Sequence, residues 1–316
     1  MKYCYIINPT AGQKPLLAKQ IPLIEKAFEV TKLPYEIAIT EYSGHAIEIV
    51  KRMSDENDAI RVCSMGGDGT LNEIATGAMG RDNVEIGCYP CGSGNDFIKI
   101  FGTRENFFNF EYMIDGSSVD VDVIKVNERY CVNIFSLGLD ANVANDIPYY
   151  RRLPLVSGPM AYNLSLVANF VKKLGSPITL TIDNKSEKLN SLLFAVCNGQ
   201  VYGGGFKAAP EAIMNDGLLD IISVSVMPRL RVAKVIPVYK NGQHLVSGQI
   251  IDSLADVITY TKTNKLYIEA EKDTLVNLDG EVTHMKTMDI SLIPKGIKFL
   301  LPINLHSSET PERSFA

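Results

Sequence analysis

The chain has 316 residues, 46% of them hydrophobic, and a formal net charge of −5. That supplies a core for one large domain or two ordinary ones and excludes wholesale disorder. Basic and acidic residues are mixed along the chain, which argues against a general nucleic-acid binder.

The apolar run Tyr3 to Ile7 predicts a first strand, and Met1 to Cys4 leads directly into it, so no signal peptide is expected. No apolar run approaches the roughly 18 residues of a spanning helix. The expected location is cytoplasmic, at most peripheral to the inner face of a membrane. Asn8-Pro9-Thr10-Ala11-Gly12 is a loop of turn residues. Leu17, Ile21, Ile24 and Phe28 then recur at helical spacing, with Pro22 as a kink or a true start. Tyr35 to Thr40 predicts a second strand. Ser43 is placed to cap a helix whose inner face carries Ala46, Ile49, Val50 and Met53. Ala59 to Cys63 predicts a third strand, followed by the turn Ser64 to Glu73 and a helix to about Met79. Val84 to Tyr89 predicts a fourth, followed by the loop Pro90 to Asp96. Phe107, Phe110 and Ile114 predict a further helix.

Strands alternating with helices imply a doubly wound, mostly parallel sheet, whose ligands sit outside the carboxyl ends of the strands. The glycine-rich loops fall at those ends. From residue 119 the pattern changes. Val119 to Val123 alternates with period two, Asn127-Glu128 marks a hairpin, and Tyr130 to Leu137 alternates back. Further strands are expected at 178–182, 189–197, 218–226, 255–261, 266–270, 274–278 and 288–293. Helices are expected at about 158–174 and 230–241. The fold class is therefore α/β plus β-rich: a doubly wound domain over 1–118, placed to bind a nucleotide at its glycine loops, and a β-sandwich or barrel domain over 119–293. Residues 294–316 are left open to return to the first domain, with a polar end from His306.

Six cysteines, mostly inside apolar runs, read as small hydrophobes. Cys88 and Cys91 have C-x-x-C spacing, but no second pair or placed histidine completes a zinc site, and a glycine turn follows where a redox helix would start.

The turn Ser64-Met65-Gly66-Gly67-Asp68-Gly69-Thr70-Leu71-Asn72-Glu73 carries the clearest chemistry. Its glycines let the backbone approach a ligand, and a helix starting there presents free N–H groups to phosphate. Asp68 beside such an anion site suggests a bridging Mg²⁺. Two other stretches stand out. In Asn198 to Asp220 the glycines suggest close backbone approach to a ligand or to the other domain, while Asp216-Gly217 is equally read as a simple turn. Asn277-Leu278-Asp279-Gly280-Glu281 is either a tight Asp-Gly hairpin or a site.

Taken in order, these pieces resemble the diacylglycerol kinase/sphingosine kinase superfamily of lipid kinases. The matching motifs are Asn8 to Gly12, Thr40 with Gly44-His45-Ala46, Gly66 to Glu73, and Pro90-Cys91-Gly92-Ser93-Gly94-Asn95-Asp96-Phe97. They continue with Tyr202-Gly203-Gly204-Gly205 through Asp220, and Asp279-Gly280-Glu281. The resemblance implies ATP as phosphoryl donor and Mg²⁺ as cofactor, bound in the cleft between the domains. Asn8, Pro9, Thr10, Ala11, Gly12, Thr40, Gly66, Gly67, Asp68, Gly69, Thr70, Asn72, Glu73 and Ser93 would line the nucleotide site. Asp68 and Asp122 would organise the catalytic Mg²⁺. Ile213, Asp216 and Leu218 would hold a second one, the apolar pair through carbonyls, and Glu281 would be the general base. Cys91 and Ser93 depart mildly from the family pattern, which favours a small residue and threonine there. His45 is read as capping or packing the second helix.

The implied reaction is phosphorylation of a lipid hydroxyl, with diacylglycerol as the expected acceptor and a membrane surface as partner. A homodimer is left open. An NAD kinase shares the Gly-Gly-Asp-Gly-Thr turn, and a silent lipid- or nucleotide-binding regulator is a third reading. Residues 147–156, with Tyr149, Tyr150, Arg151 and Arg152, are read as either an interfacial contact or a loop packing inward.

Overall fold

The computed structural model describes residues 1–11, 14–153, 156, 158–172 and 174–307. The chain divides into two compact units, Met1–Val123 with Pro294–Ala316, and Ile124–Ile293. The first contains β1 (Lys2–Ile7), α1 (Lys14–Thr31), β2 (Tyr35–Ile39), α2 (His45–Glu56), β3 (Ile60–Gly66), α3 (Asp68–Ala78), β4 (Val84–Pro90) and α4 (Phe110–Ile114). Strand β5 (Ser117–Val126) carries the chain across the division. The second holds β6 (Arg129–Cys131), β7 (Ile134–Gly138), α5 (Leu139–Arg151), α6 (Gly158–Val171), β8 (Ser176–Ile182), β9 (Lys185–Cys197) and β10 (Leu219–Ser225). It continues with α7 (Arg229–Lys240), β11 (Leu245–Val246), β12 (Gln249–Ile250), β13 (Ile258–Thr263) and β14 (Lys265–Leu278). Strand β15 (Glu281–Leu301) starts in the second unit and ends in the first, and α8 (Ile303–Ser307) follows.

In the first unit the sheet runs β2-β1-β3-β4, and the end of β15 adds beyond β4 at Lys298 and Phe299; each of these four pairings is parallel. β2 lies on one side of β1 and β3 on the other, so the order reverses there. In an open parallel sheet this reversal splays the two following loops apart and leaves a crevice between them. The loops concerned are Asn8 onward and Gly66 onward. Strands β1, β3 and β4 are buried almost throughout, as a sheet covered on both faces requires.

In the second unit alternate residues of the central strands β9 and β10 face two different cores. On β9, Leu193, Ala195 and Cys197 join one core, which the helices cover, while Phe194 and Val196 join the other. β10 repeats this, with Ile222 and Val224 on the first side and Leu219 and Ile221 on the second. β14 joins the two separate strands expected at 266–270 and 274–278, its register shifting between Glu269 and Thr274. A bulge absorbs the charged residues Glu271 to Asp273 that break the alternation in the sequence.

Two local expectations are corrected. Residues 147–151 are not loop: they end α5, Ile147 packs on the helical core, and Tyr149 stays 65% exposed. Pro154 and Leu155 of that stretch lie outside the described residues. Ser43 does not cap α2. Gly44 occupies the cap position at φ +88°, and the Ser43 hydroxyl instead donates to Glu73.

Candidate functional site

Two glycine loops meet backbone to backbone at the ends of β3 and β4. A Cβ on Gly92 would lie 2.5 Å from the Gly67 Cα, so only glycine permits the approach. The Gly66 carbonyl accepts from the Cys91 and Gly92 amides, both at 3.0 Å, and from the Asn95 side chain at 3.1 Å. Asn95 is 1% exposed and left-handed at φ +47°, which an asparagine tolerates better than most residues. Asp68 opens α3 directly after Gly67, where the helix dipole favours a carboxylate. Its Oδ1 accepts from the Asp96 amide at 2.7 Å. A Cβ on Gly94 would crowd its Oδ2 at 2.9 Å, so Gly94 keeps space beside that oxygen. A carboxylate fixed in this way at the start of a helix, beside two glycine loops, fits one that orders a hydrated divalent cation.

The loop after β1 reaches the same crevice. Asn8 donates from its side-chain amide to the Thr70 hydroxyl at 3.0 Å and accepts from the Thr10 amide and hydroxyl at 2.9 and 2.7 Å. Its backbone N–H bonds to Met65 and its carbonyl accepts from Ala11. Thr40 is nearly buried at the end of β2, its N–H bonded to Ile7. Pro9, Thr10 and Ser93 are exposed at the loop tips, Gly69 is exposed in the first turn of α3, and Asn72 is buried on the same helix. Gly12 lies outside the described residues. Glu73 has turned to α2, where its carboxylate accepts from the Ala46 amide at 3.3 Å and so takes the capping role expected of Ser43. His45 stacks on Tyr42 and accepts at Nδ1 from the Glu41 amide, a packing role. Asp122 is 1% exposed, and its Oδ1 accepts from the Lys295 amide at 2.7 Å.

Cys88 and Cys91 are both buried and free. Burial pushes the Cys91 thiol up to about 11 and that of Cys88 well above its ordinary value, so neither is a ready nucleophile or metal ligand.

In the second unit, Glu281 begins β15 directly after a tight turn, with Asp279 at φ +50° and Gly280 at φ +94°. Its side chain is 53% exposed, and Arg129 donates to Oε1 at 2.7 Å. The neighbouring Asp279, which in sequence reads as part of the turn or motif, has a role that sequence reasoning does not reach. It is buried, and its carboxylate accepts from the amides of Val132 at 2.6 Å, Asn133 at 3.1 Å and Ile134 at 2.9 Å. The Cys131 thiol adds a fourth contact at 3.1 Å. Burial raises the Asp279 pKa, while the amide donors pull it down. Asp279 thus anchors the turn that presents Glu281.

The glycines of 198–206 serve two purposes. A Cβ on Gly199 would meet the Asn133 side chain at 1.9 Å, which is close approach within the fold. Gly203, Gly204 and Gly205 run consecutively at positive φ and reverse the chain, so that Tyr202 pairs with Phe206.

Ile213, Asp216 and Leu218 form a turn closed by the Leu218 amide donating to Asp216 at 3.0 Å. The Lys262 ammonium stands 3.0 Å from Asp216 and 3.6 Å from the buried Asp220. Lys262 thus shares the anionic charge of the turn to which the resemblance assigns a second Mg²⁺. Among the described residues no group of three or more His, Cys, Asp or Glu is placed to hold a metal ion.

A parallel nucleotide-type unit with facing glycine loops, followed by a β-rich unit, defines the class, and comparison with known proteins agrees. Residues 2–126 match the diacylglycerol kinase catalytic domain. Residues 133–301 match the YegS C-terminal NAD kinase beta sandwich-like domain. The chain belongs to the diacylglycerol kinase-like lipid kinase family. It is 27% identical to a diacylglycerol kinase of Bacillus subtilis (strain 168) over 301 residues, covering 94% of this chain and 95% of that one. A diacylglycerol kinase of Staphylococcus aureus (strain JH9) is 27% identical over 280 residues, covering 87% and 84%. Two solved structures from Bacillus anthracis str. Sterne superpose on the chain. One is 25% identical with a TM-score of 0.73; the other, called a diacylglycerol kinase, is 23% identical with a TM-score of 0.66 and bears on the fold alone. Each covers 96% of this chain and 98% of its own. Membership makes the chain a kinase, with ATP as the substrate that the family implies.

Proposed function

We propose that the protein transfers the γ-phosphoryl group of ATP to a lipid hydroxyl, with diacylglycerol as acceptor and phosphatidic acid as product. The observation that carries the reading is the Asn8–Thr70–Gly66–Asp68 constellation at the switch point of a parallel sheet, in a chain of this family. Phosphoryl transfer through a loose transition state asks mainly for positioning and charge neutralisation. Backbone amides at the start of α3 and the side chains of Asn8, Thr10 and Thr70 would hold the phosphates, with Pro9, Ala11, Gly12, Thr40, Gly67, Gly69, Asn72, Glu73 and Ser93 shaping the surround. Asp68 and Asp122 are the carboxylates that would hold Mg²⁺. When bound, Mg²⁺ supplies charge neutralisation on the transferring phosphoryl.

A lipid hydroxyl is a weak nucleophile, and Glu281 is the carboxylate that would take its proton as the new P–O bond forms. In the structure Arg129 donates to its Oε1, so the ion pair has to open for that oxygen to meet the acceptor. Asp279 acts through the turn, as a positioning residue. No step is drawn through a second metal at Ile213, Asp216 and Leu218. The Glu281→Gln variant tests the assignment: it should bind MgATP as the wild type does and lose turnover on diacylglycerol. Retained turnover would sink it. The protein would meet its acceptor as a peripheral protein at the cytoplasmic face of a membrane. No helix among the described residues is long and apolar enough to cross one.

A further inference from the structure

The loop after β2 carries an exposed aromatic ring that the phosphate contacts leave unused. Tyr42 is 53% exposed, and its ring lies 4.6 Å from that of His45 at an interplanar angle of 8°. Its hydroxyl donates at 2.7 Å to the carboxylate of Glu48, in the first turn of α2. His45 is fixed in turn, because its Nδ1 accepts from the Glu41 amide at 3.1 Å. A tyrosine held by both ring and hydroxyl has little freedom left to lose when a second flat ring is laid on it. The loop is also tied to both edges of the phosphate crevice. The Thr40 amide donates to the Ile7 carbonyl, just before Asn8. Glu73, three residues beyond Thr70 on α3, accepts from Ser43 and Ala46.

The position of this ring matches what lies beyond a phosphate chain. β2 is two strands from β3 by way of β1, so their ends stand about 10 Å apart at the usual strand spacing. In a nucleotide the ribose sets the base off from the phosphates by a distance of that order. With phosphates over Gly66 to Thr70, a base reaching across the loop after β1 arrives at Tyr42. The other loops at this end of the sheet offer no such surface. Residues 8–13 and 67–73 contain no aromatic residue. The loop after β4 presses its backbone against Gly67 through Gly92, and its Phe97 is 1% exposed. Phe108, 41% exposed, already has Tyr89 against its ring and the Arg104 guanidinium over it.

We propose that Tyr42, backed by His45, is the surface on which the base of a purine nucleoside triphosphate stacks. This deepens the nucleotide-site reading and rests on it, but not on the choice of acceptor, so the test contains no lipid. The chain has no tryptophan, so Tyr42→Trp places a single reporter at the proposed contact. Its emission should be quenched saturably by MgATP and left unchanged by Mg²⁺ with tripolyphosphate, which has the phosphates and no base. Titration calorimetry supplies the second reading. Tyr42→Ala should weaken MgATP binding by about tenfold, the loss expected of one base–aromatic stack, and leave tripolyphosphate binding as in wild type. A merely structural defect would weaken both ligands. Tyr42→Phe keeps the ring and should bind MgATP nearly as wild type does. The proposal is overturned if MgATP binds without quenching the reporter, if Tyr42→Ala binds MgATP as tightly as wild type, or if it loses both ligands equally. It is also overturned if Phe108→Ala takes the loss instead, which would put the base on the β4 side. A wild type that binds no nucleotide would overturn it together with the nucleotide site, whereas failure to phosphorylate diacylglycerol would leave it standing.

Discussion

The Asn8 side-chain amide and the Thr70 hydroxyl meet at 3.0 Å, tying the loop after β1 to the first turn of α3. The contact spans the place where the strand order reverses, so one hydrogen bond fixes the two edges of the crevice. Asn8→Ala should weaken MgATP binding by about tenfold, near 1.4 kcal/mol, while lowering thermal stability little. Titration calorimetry reads this, and unchanged affinity would remove Asn8 from the nucleotide site.

Asp279 and Glu281 should separate stability from turnover. Asp279→Ala leaves three buried amides without their acceptor and should cost roughly 3–5 kcal/mol. Glu281→Gln loses only a half-exposed ion pair with Arg129, worth at most about 1 kcal/mol. Denaturant unfolding of the two variants checks the contrast. Equal losses would mean that Asp279 is not the anchor.

Lys262 should make the Asp216 turn independent of added metal. Wild type should melt at the same temperature with EDTA as with millimolar Mg²⁺, in the absence of nucleotide. Lys262→Met leaves Asp216 near Asp220, whose carboxyl is already raised by burial. That variant should melt lower and regain part of the loss with Mg²⁺. A wild-type melt that falls on chelation would restore a metal to this turn.

Asp140 offers a pH signature. Burial pushes its carboxyl up to about 7, although the Tyr202 hydroxyl bonds to it and opposes the rise. An unfolded aspartate titrates near 3.9, so between roughly pH 4 and 7 the folded state holds a proton that the unfolded state has lost. Stability from this group is therefore greatest below about pH 4, falls through that window, and levels above it. Asp140→Asn removes the titration, so its stability relative to wild type should rise by roughly 1–3 kcal/mol from pH 4 to pH 8. Parallel pH profiles for the two proteins would contradict the assignment.

How much of this was legible in the sequence depended on whether the signal was local. Gly66, Gly67 and Gly92 are punctuation that a turn cannot hide, and the parallel sheet around them follows from the alternation of apolar runs. The family resemblance rested on the same short motifs. Helix α5 was missed because Asp140, Asn142, Asn145, Asp146 and Pro148 blur its apolar face and read as loop. The Ser43 cap failed because the capping carboxylate comes from Glu73, on another helix. In sequence, Asp279 reads as half of an Asp-Gly turn or as part of a short motif. Its acceptor role appears only when residues 131–134 are brought to it by the sheet. Lys262 and Asp216 likewise meet only through the β10–β13 pairing, and no short-range pattern announces them.

The central claim is phosphoryl transfer to a lipid hydroxyl, and one assay addresses it directly. Purified protein with Mg²⁺ and γ-labelled ATP is given diacylglycerol, monoacylglycerol, a sphingoid base and NAD in separate reactions, with Glu281→Gln alongside. The account predicts labelled phosphatidic acid as the main product from wild type and none from the variant. Label appearing in NADP, or in no product at all, would contradict it.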